Sequence, residues 1–245
     1  MKLWLYAMGM CQSMFCALPF PWHGWEEKAR DKMLLCLPIV GLEIGLLWFG
    51  AGWLCVILGL PELIRAFVLC ALPCFLTGGM HLDGFLDVTD AIRSCRALER
   101  RREILKDSHV GSFAVIGMVL LMLAQFAAAA SFRPETDFRA LILIPVVSRC
   151  CSVLAISLLP PMTTSQYAGM QKKTIVPPVL MLVAALAAGF LFGWRCGLAL
   201  LGTILGVCIA VGRGYRSLQG MNGDISGYAI TLGELTGLMV MAIAQ

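Results

Sequence analysis

Three carboxylates follow one another closely in residues 77–90, which read TGGMHLDGFLDVTD. If the chain is helical from Asp83 onward, Asp83, Asp87 and Asp90 fall at roughly 0°, 40° and −20° around the axis, because successive residues are about 100° apart. Like charges on one helix face repel each other, so a compensating cation is expected. Magnesium suits this set, since it takes a few carboxylates and completes its shell with water and substrate phosphates. The spacing predicts a magnesium site, and the alternative is that the acids solvate a helix end or pair with the arginines that follow.

Glycines and a histidine accompany these acids. Gly84 and the pair Gly78-Gly79 favour a site, because glycine lets a ligand approach the backbone closely or lets the chain turn sharply. His81 falls on the opposite side of the ideal helix from the acids. Catalysis by His81 and simple packing or capping by His81 are therefore both open.

A basic run comes directly after the acidic segment. Its guanidinium groups match the geometry of phosphate oxygens, while a topology signal that contacts anionic lipid is the other interpretation. The run contains Arg93, Arg96, Arg100, Arg101, Arg102 and Lys106. Asp107 or Ser108 is then predicted to be the N-cap of the next helix, whose N-terminus is also a potential anion site. The candidate ligands of substrate phosphates in this region are Gly84, Arg93, Arg96, Arg102, Lys106 and Ser108.

A second glycine-rich segment bears a carboxylate near the end of the chain. Residues 219–227 read QGMNGDISG, a composition that is common in ordinary turns. Asp224 is predicted to be a further metal ligand or the catalytic base, with Asn222 binding substrate. Within the apolar runs, Glu43, Arg149 and Glu234 are costly in lipid and hence functional or mutually paired. The sequence does not show which of them pair, and Arg149 is a candidate phosphate ligand.

The composition indicates a membrane protein. Of 245 residues, 59% are hydrophobic and 14% charged, against roughly 25% charged residues in a soluble domain, and the mean hydropathy is +0.83. Apolar runs in a bilayer must be helical, because every backbone polar group needs an internal partner. We therefore predict one all-α polytopic domain over residues 1–245, with about seven transmembrane helices after a short interfacial segment at 1–32. The predicted spans cover roughly 34–59, 62–79, 110–131, 139–160, 177–194, 197–211 and 227–244.

Basic residues predict the orientation of these spans. The connection at 80–109 carries five of the thirteen arginines together with Lys106, so the positive-inside rule assigns it to the cytoplasm. Alternation of seven spans then assigns the loops that hold Asp83 and Asp224 to the same side. The net charge of +4 is modest, and nucleic acid is not an expected partner.

These motifs resemble the cobalamin synthase family, whose activity is adenosylcobinamide-GDP ribazoletransferase. The likeness rests on three segments, which are Gly79-Met80-His81-Leu82-Asp83-Gly84 continuing through Asp87 and Asp90, residues 102–113 (REILKDSHVGSF), and residues 220–227 (GMNGDISG). The resemblance implies a magnesium-dependent enzyme of the bacterial inner membrane with its active site facing the cytoplasm. It implies that adenosylcobinamide-GDP reacts with α-ribazole or α-ribazole 5′-phosphate and that GMP is released. The expected partners are these substrates, the lipid bilayer and, as one possibility, a second copy of the chain.

Two other function classes are compatible with a membrane protein that clusters acids at one face. A CDP-alcohol phosphotransferase also uses aspartates, but its signature has an Asp two residues ahead of an Asp-Gly pair, whereas here Asp83-Gly84 comes first and Asp87 and Asp90 follow. A transporter would bind a coupling ion, yet the sequence has no internal repeat and its polar residues gather at one face rather than at the midplane. Both therefore remain alternatives to the ribazoletransferase.

Overall fold

The computed structural model describes residues 2–22, 24–133, 135–163, 165 and 175–245. Within these ranges the chain is helical, apart from turns and one isolated bridge between Pro161 and Met221. The helices are α1 (Lys2–Phe15), α2 (Arg30–Ile57), α3 (Glu62–Leu76), α4 (Met80–Arg93), α5 (Leu98–Ile104), α6 (Ser112–Ala130), α7 (Ala140–Leu158), α8 (Val176–Phe192), α9 (Trp194–Leu218) and α10 (Gly223–Ile243). The predicted all-α fold is confirmed.

Several helices are long and apolar enough to cross a bilayer, so the chain is a multi-pass membrane protein. Five pass on their own among the described residues, namely Glu27–Ile57, which includes α2, and α6, α7, α9 and α10. Helices α3 and α4 pass only as a pair, bent by 91°, because Gly78 and Gly79 adopt left-handed φ angles of 60° and 78° between them. Helix α8 is apolar but has only 17 residues. Length and composition therefore give five or six spans, against the predicted number of about seven.

The helix termini contact one another at the two opposite ends of the bundle. At one end, the Met162 amide donates to the Met221 carbonyl over 2.9 Å, and α5 contacts the last turn of α9. We call this the aspartate end, because α4 and the start of α10 lie there. At the other end, Arg139 donates to the Phe192 carbonyl over 2.9 Å and Gln245 donates to the Ser131 carbonyl over 2.9 Å.

Helix α7 lies at the centre and packs closely against α2. Gly41 and Gly45 stand one turn apart on α2, and a Cβ atom at these positions would lie 2.6 Å from the Pro145 carbonyl oxygen and 2.2 Å from the Ile142 carbonyl oxygen. Two small residues at this spacing let helix backbones approach each other in a membrane. The two glycines of α2 thus hold α7 in close contact with α2, and the site is built against α7.

Helix α1 packs along the first half of α2. Lys32 lies over the ring of Trp4 at 5.1 Å, and Gln12 donates to the Glu43 carboxylate over 2.8 Å. Because Glu43 is near the middle of α2, the end of α1 reaches into the apolar part of the bundle. Glu43 is therefore partnered by an amide rather than by Arg149.

Candidate active site

Helix α4 presents its acids on one side and its apolar residues on the other. Phe85 and Val88 are buried, whereas Asp83 is exposed and Asp87 and Asp90 are partly exposed. The helix extends from Met80 to Arg93, so the helical geometry assumed for the three acids is present. The amphipathic pattern of α4 explains this arrangement, since the apolar face packs against α10 and α6.

The acids form one electrostatic cluster. Asp83, Asp224 and Asp90 all exert repulsive Coulombic interactions on Asp87, and Asp83 acts likewise on Asp224. None of the four carboxylates has an ion-pair partner within the described part of the chain. No group of three or more His, Cys, Asp or Glu side chains converges on one metal position among those residues. The structure thus brings together like charges that form no ion pair with a described basic side chain.

The close approach of α4 and α10 joins the two sequence motifs. A Cβ atom at Gly84 would lie 2.8 Å from the Asp224 carbonyl oxygen and 3.1 Å from the Asp224 Cα, so only glycine fits there. Asn222 caps α10 by accepting from the Ile225 amide over 3.0 Å. Its Nδ2 also donates to the Asp224 carboxylate over 2.6 Å. Gly84 therefore makes room for the α10 backbone, while Asn222 holds the Asp224 side chain.

His81 lies away from the acids. Its ring is buried and stacks on Phe15 with centroids 6.0 Å apart, and its Nε2 has no hydrogen-bond partner among the residues that the structure describes. Its carbonyl accepts from the Thr231 hydroxyl over 3.2 Å. His81 therefore lies on the opposite side of α4 from the acids, as the helical wheel predicts. Its contacts join α4 to α1 and α10.

Arg102 contacts the end of α9. Its Nε donates to the Leu218 carbonyl over 3.0 Å and its Nη2 to the Gln219 carbonyl over 2.8 Å. Arg101 donates similarly to the Ser217 carbonyl over 3.3 Å. These carbonyls lack partners within the helix, and a guanidinium satisfies them and complements the helix dipole. Arg102 therefore stabilises the connection that leads to Asp224.

Two cavities at the aspartate end combine acids with basic side chains. One, of about 230 Å³, is lined by Arg102 and Lys106 together with Asn222 and Asp224. The other, of about 400 Å³, is lined by Asp90, Ser94, Arg96 and Arg100. Both have the mixed charge expected where a metal and a phosphate are bound together.

Arg93 and Ser108 are not part of either cavity. Arg93 lines a separate cleft between α4, α6, α9 and α10. Ser108 is exposed in the loop before α6. Gly111 of the same loop contacts the Asp90 carboxylate, so the binding of substrate phosphates by Arg93 and Ser108 stays a prediction.

The predicted N-cap of α6 is wrong. The helix begins at Ser112, and its N-cap, Gly111, makes no side-chain capping hydrogen bond. Asp107 instead accepts from the His109 amide over 3.0 Å and lies 2.7 Å from the His109 ring. The side-chain hydrogen bond from His109 lowers the pKa of Asp107. A local turn thus uses the side chain that was expected to cap the helix.

Arg149 is buried inside the bundle. It lies 2.5 Å from the Glu234 carboxylate, which also accepts from the Ser148 hydroxyl over 3.0 Å. The Arg149 side chain is fully buried and paired with Glu234, so the mutual pairing that the sequence allowed is present, while binding of phosphate by Arg149 stays a prediction. Desolvation explains the arrangement, because a lone arginine in the membrane is far more costly than one paired with a carboxylate.

One positioning contact was missed from sequence. The hydroxyls of Ser152 on α7 and Ser226 on α10 are 2.5 Å apart and buried. Ser226 is two residues beyond Asp224, so this bond fixes the first turn of α10 to the central helix. A serine in an apolar helix carries no pattern that identifies its partner, and only the fold brings the pair together.

Comparison with known proteins gives the family. The model of the family described as cobalamin-5-phosphate synthase matches residues 7–242. An adenosylcobinamide-GDP ribazoletransferase from Clostridium perfringens strain SM101 is 34% identical over 99% of this chain and 100% of that protein. Proteins with the same name from Clostridium botulinum strain Alaska E43 and Brevibacillus brevis strain 47 are 32% and 29% identical, over 97% and 94% of both chains. No solved structure matches. A family match over nearly the whole length, with relatives that align from end to end, means that the chain belongs to the cobalamin-5-phosphate synthase family.

Proposed function

We propose that this protein is a membrane-embedded adenosylcobinamide-GDP ribazoletransferase. In this reaction GDP-activated adenosylcobinamide is joined to α-ribazole or α-ribazole 5′-phosphate, and GMP leaves. The relatives that carry this name align with the chain over its whole length. The observation that carries the proposal is the contact of Gly84 with the Asp224 backbone, which unites the two acidic motifs in one site.

The acidic cluster fits a magnesium ion by the chemistry of its donors. Asp83, Asp87, Asp90 and Asp224 offer only oxygen ligands, and they repel one another without a protein cation. Magnesium commonly uses one or two carboxylates with waters and substrate phosphates, so it needs no preformed set of three protein ligands. We assign Asp83 and Asp87 as the main holders, with Asp90 at the edge and Asp224 as either a further ligand or the base. A bound magnesium ion would neutralise charge on the diphosphate and on the departing GMP.

The bond changes require an oriented hydroxyl. A ribose hydroxyl oxygen of ribazole forms a bond to the phosphorus that bears the cobinamide, and the bond from that phosphorus to the GMP oxygen breaks. The hydroxyl proton passes to a base, and the proposed base is Asp224, whose carboxylate accepts a hydrogen bond from the Asn222 side-chain amide. The GMP leaves with the electron pair of the broken bond and carries the negative charge. Phosphoryl transfer of this kind depends mainly on positioning and charge neutralisation.

Basic side chains at the rim would hold the diphosphate. Lys106 and Arg102 line the cavity that contains Asp224, and Arg96 lines the cavity that contains Asp90. Guanidinium groups bind phosphate oxygens in pairs, whereas lysine acts as a point charge. Arg102 would bind the diphosphate with the N–H groups that do not donate to the Leu218 and Gln219 carbonyls.

The active site would face the cytoplasm of a bacterial inner membrane. The support for this orientation is the arginine-rich segment at the aspartate end, which includes Arg96, Arg100 and Arg101, since basic loops stay on the cytoplasmic side. Charged nucleotide substrates are also available there.

Purified protein provides the direct test. The protein in neutral detergent is incubated with adenosylcobinamide-GDP, α-ribazole and magnesium, and GMP and the corrinoid product are followed by chromatography. We expect GMP and product in equal amounts, and none when either substrate is omitted. GMP release without a new corrinoid would indicate hydrolysis and would contradict the transferase assignment. Replacement of α-ribazole by its 5′-phosphate identifies the preferred acceptor.

A further inference from the structure

A largely apolar cleft is lined on α4 by Phe85, Thr89, Ile92 and Arg93. Residues of α4, α6 and α10 line it, together with Arg213 of α9. The rings of Phe85 and Tyr228 stack there with centroids 5.6 Å apart, and Leu120 and Leu232 continue the apolar lining. The cavity volume is about 300 Å³. Such a cleft accommodates a hydrocarbon chain.

Two arginines lie in the same cleft. Arg93 comes from the last residue of α4 and Arg213 from the final part of α9, and both act electrostatically on Tyr228. In the described part of the chain, neither guanidinium has an ion-pair or hydrogen-bond partner. No acidic side chain lines the cleft. Two unpaired cations beside an apolar lining are complementary to an amphiphile with an anionic head.

The mouth of the cleft faces the region where lipid is expected. Leu120 is 58% exposed at the mouth, and the outward side of α9 carries the exposed Leu205 and Ile209. Arg213 is five residues before the end of α9, about 8 Å from that end at 1.5 Å per residue. An arginine at this depth extends its head toward the headgroup region while its stem stays in apolar surroundings. The mouth is therefore lateral, toward the bilayer.

We propose that this cleft binds one anionic phospholipid, with its phosphate between Arg93 and Arg213 and one acyl chain against Phe85, Tyr228 and Leu120. The inference goes beyond the transferase reaction, because none of the four aspartates lines the cleft. Arg93, which the sequence assigned to substrate phosphates, binds a lipid phosphate instead. A bound lipid would brace α4 against α6 and α9 without occupying the space near Asp83.

Native mass spectrometry of the full chain in neutral detergent tests the proposal. Phosphatidylglycerol is titrated against phosphatidylcholine with the same acyl chains, and inorganic phosphate is added as a competitor. We expect one phosphatidylglycerol per chain, bound preferentially and not displaced by millimolar phosphate. The double variant Arg93→Gln with Arg213→Gln should bind phosphatidylglycerol about tenfold more weakly or worse, since hydrogen bonds to a charged group are lost. Its affinity for phosphatidylcholine should not change.

Matched controls separate a site from general attraction. Arg216→Gln removes an exposed charge from the same helix outside the cleft, and it should bind the lipid like the wild type. Leu120→Trp fills the mouth and should reduce lipid occupancy, whereas Leu123→Trp, at a position 59% exposed on α6 but outside the cleft, should not. Melting temperatures near the wild-type value verify that each variant is folded. Equal binding of the two lipids, an unaffected double variant, or displacement by phosphate would each overturn the proposal.

Discussion

Gly84 of α4 and Asp224 of α10 are in such close contact that no side chain fits between them. The missing Cβ of Gly84 would lie 2.8 Å from the Asp224 carbonyl oxygen. The glycine therefore sets the distance between the helix that carries three acids and the turn that carries the fourth. The distance between the two motifs therefore depends on this contact.

Gly84→Ala should lower turnover without unfolding the protein. The methyl group must push the backbone of α10 away, and a displacement of about 1 Å at a catalytic group costs on the order of 100-fold in rate. Product formation under saturating substrates measures the effect. Gly50→Ala is the control, because nothing lies within 4 Å of a Cβ at that position. Equal activity of the two variants would show that the contact does not position the site.

Asp83→Asn and Asp87→Asn should each abolish most activity while the protein is still inserted in the membrane. Both carboxylates lie in the repulsive cluster that we assign to magnesium. Asp90→Asn should have a smaller effect, expressed as a higher magnesium requirement, because Asp90 lies at the edge against Gly111. GMP release against magnesium concentration is the measurement, with the exposed Glu99→Gln as control. Near wild-type turnover of all three aspartate variants at limiting magnesium would mean that the acids only solvate the helix.

Asp224→Asn distinguishes a metal ligand from a base. Loss of a ligand should be partly relieved by more magnesium, whereas loss of a base should lower turnover by roughly 10² to 10⁴ at every magnesium concentration. We expect the second pattern, because the Asn222 amide orients the Asp224 carboxylate over 2.6 Å. Asn222→Ala should then impair turnover as well, through loss of both the cap and this orientation. Normal kinetics for Asp224→Asn would mean that the glycine-rich turn at 219–227 only connects two helices and takes no part in the reaction.

Arg149→Met should destabilise the protein by about 3 kcal/mol or more. Removal of one partner leaves the Glu234 charge buried without compensation. The double variant Arg149→Met with Glu234→Met should recover much of this loss, since two apolar side chains of similar size can replace a buried ion pair. Melting temperatures in detergent measure both. If Arg149→Met instead melts normally and raises only the KM for adenosylcobinamide-GDP, the arginine binds substrate after all.

A cysteine at position 100 should be inaccessible from outside intact cells. Arg100 is exposed at the aspartate end, for which we propose a cytoplasmic location. Arg100→Cys is introduced in a background where the exposed Cys95 and Cys208 are replaced by serine. A membrane-impermeant maleimide should label it only after permeabilisation. Arg195→Cys, at the opposite end, should be labelled in intact cells, and the reverse pattern would invert the topology.

The amino-acid sequence by itself determined the helical membrane class and the acidic motif. Lipid offers the backbone no hydrogen-bond partner, so long apolar runs become helices whatever their neighbours are. The i, i+4 and i+7 spacing of Asp83, Asp87 and Asp90 is a property of the helix alone. These features are local, and for that reason they can be predicted from the sequence without the tertiary structure.

Only the tertiary structure decided which distant side chains meet. The pairing of Arg149 with Glu234 rather than with Glu43, and the use of Arg102 on the end of α9, depend on how α5, α7, α9 and α10 pack. The count of five or six spans has two sources, because the break at Gly78 and Gly79 turns α4 by 91° from α3 and because α8 has only 17 residues. The position of Gly84 against Asp224 likewise joins residues 140 positions apart. Helical periodicity specifies which residues share a face, but the partner of that face is set by close packing between helices, which no local pattern encodes.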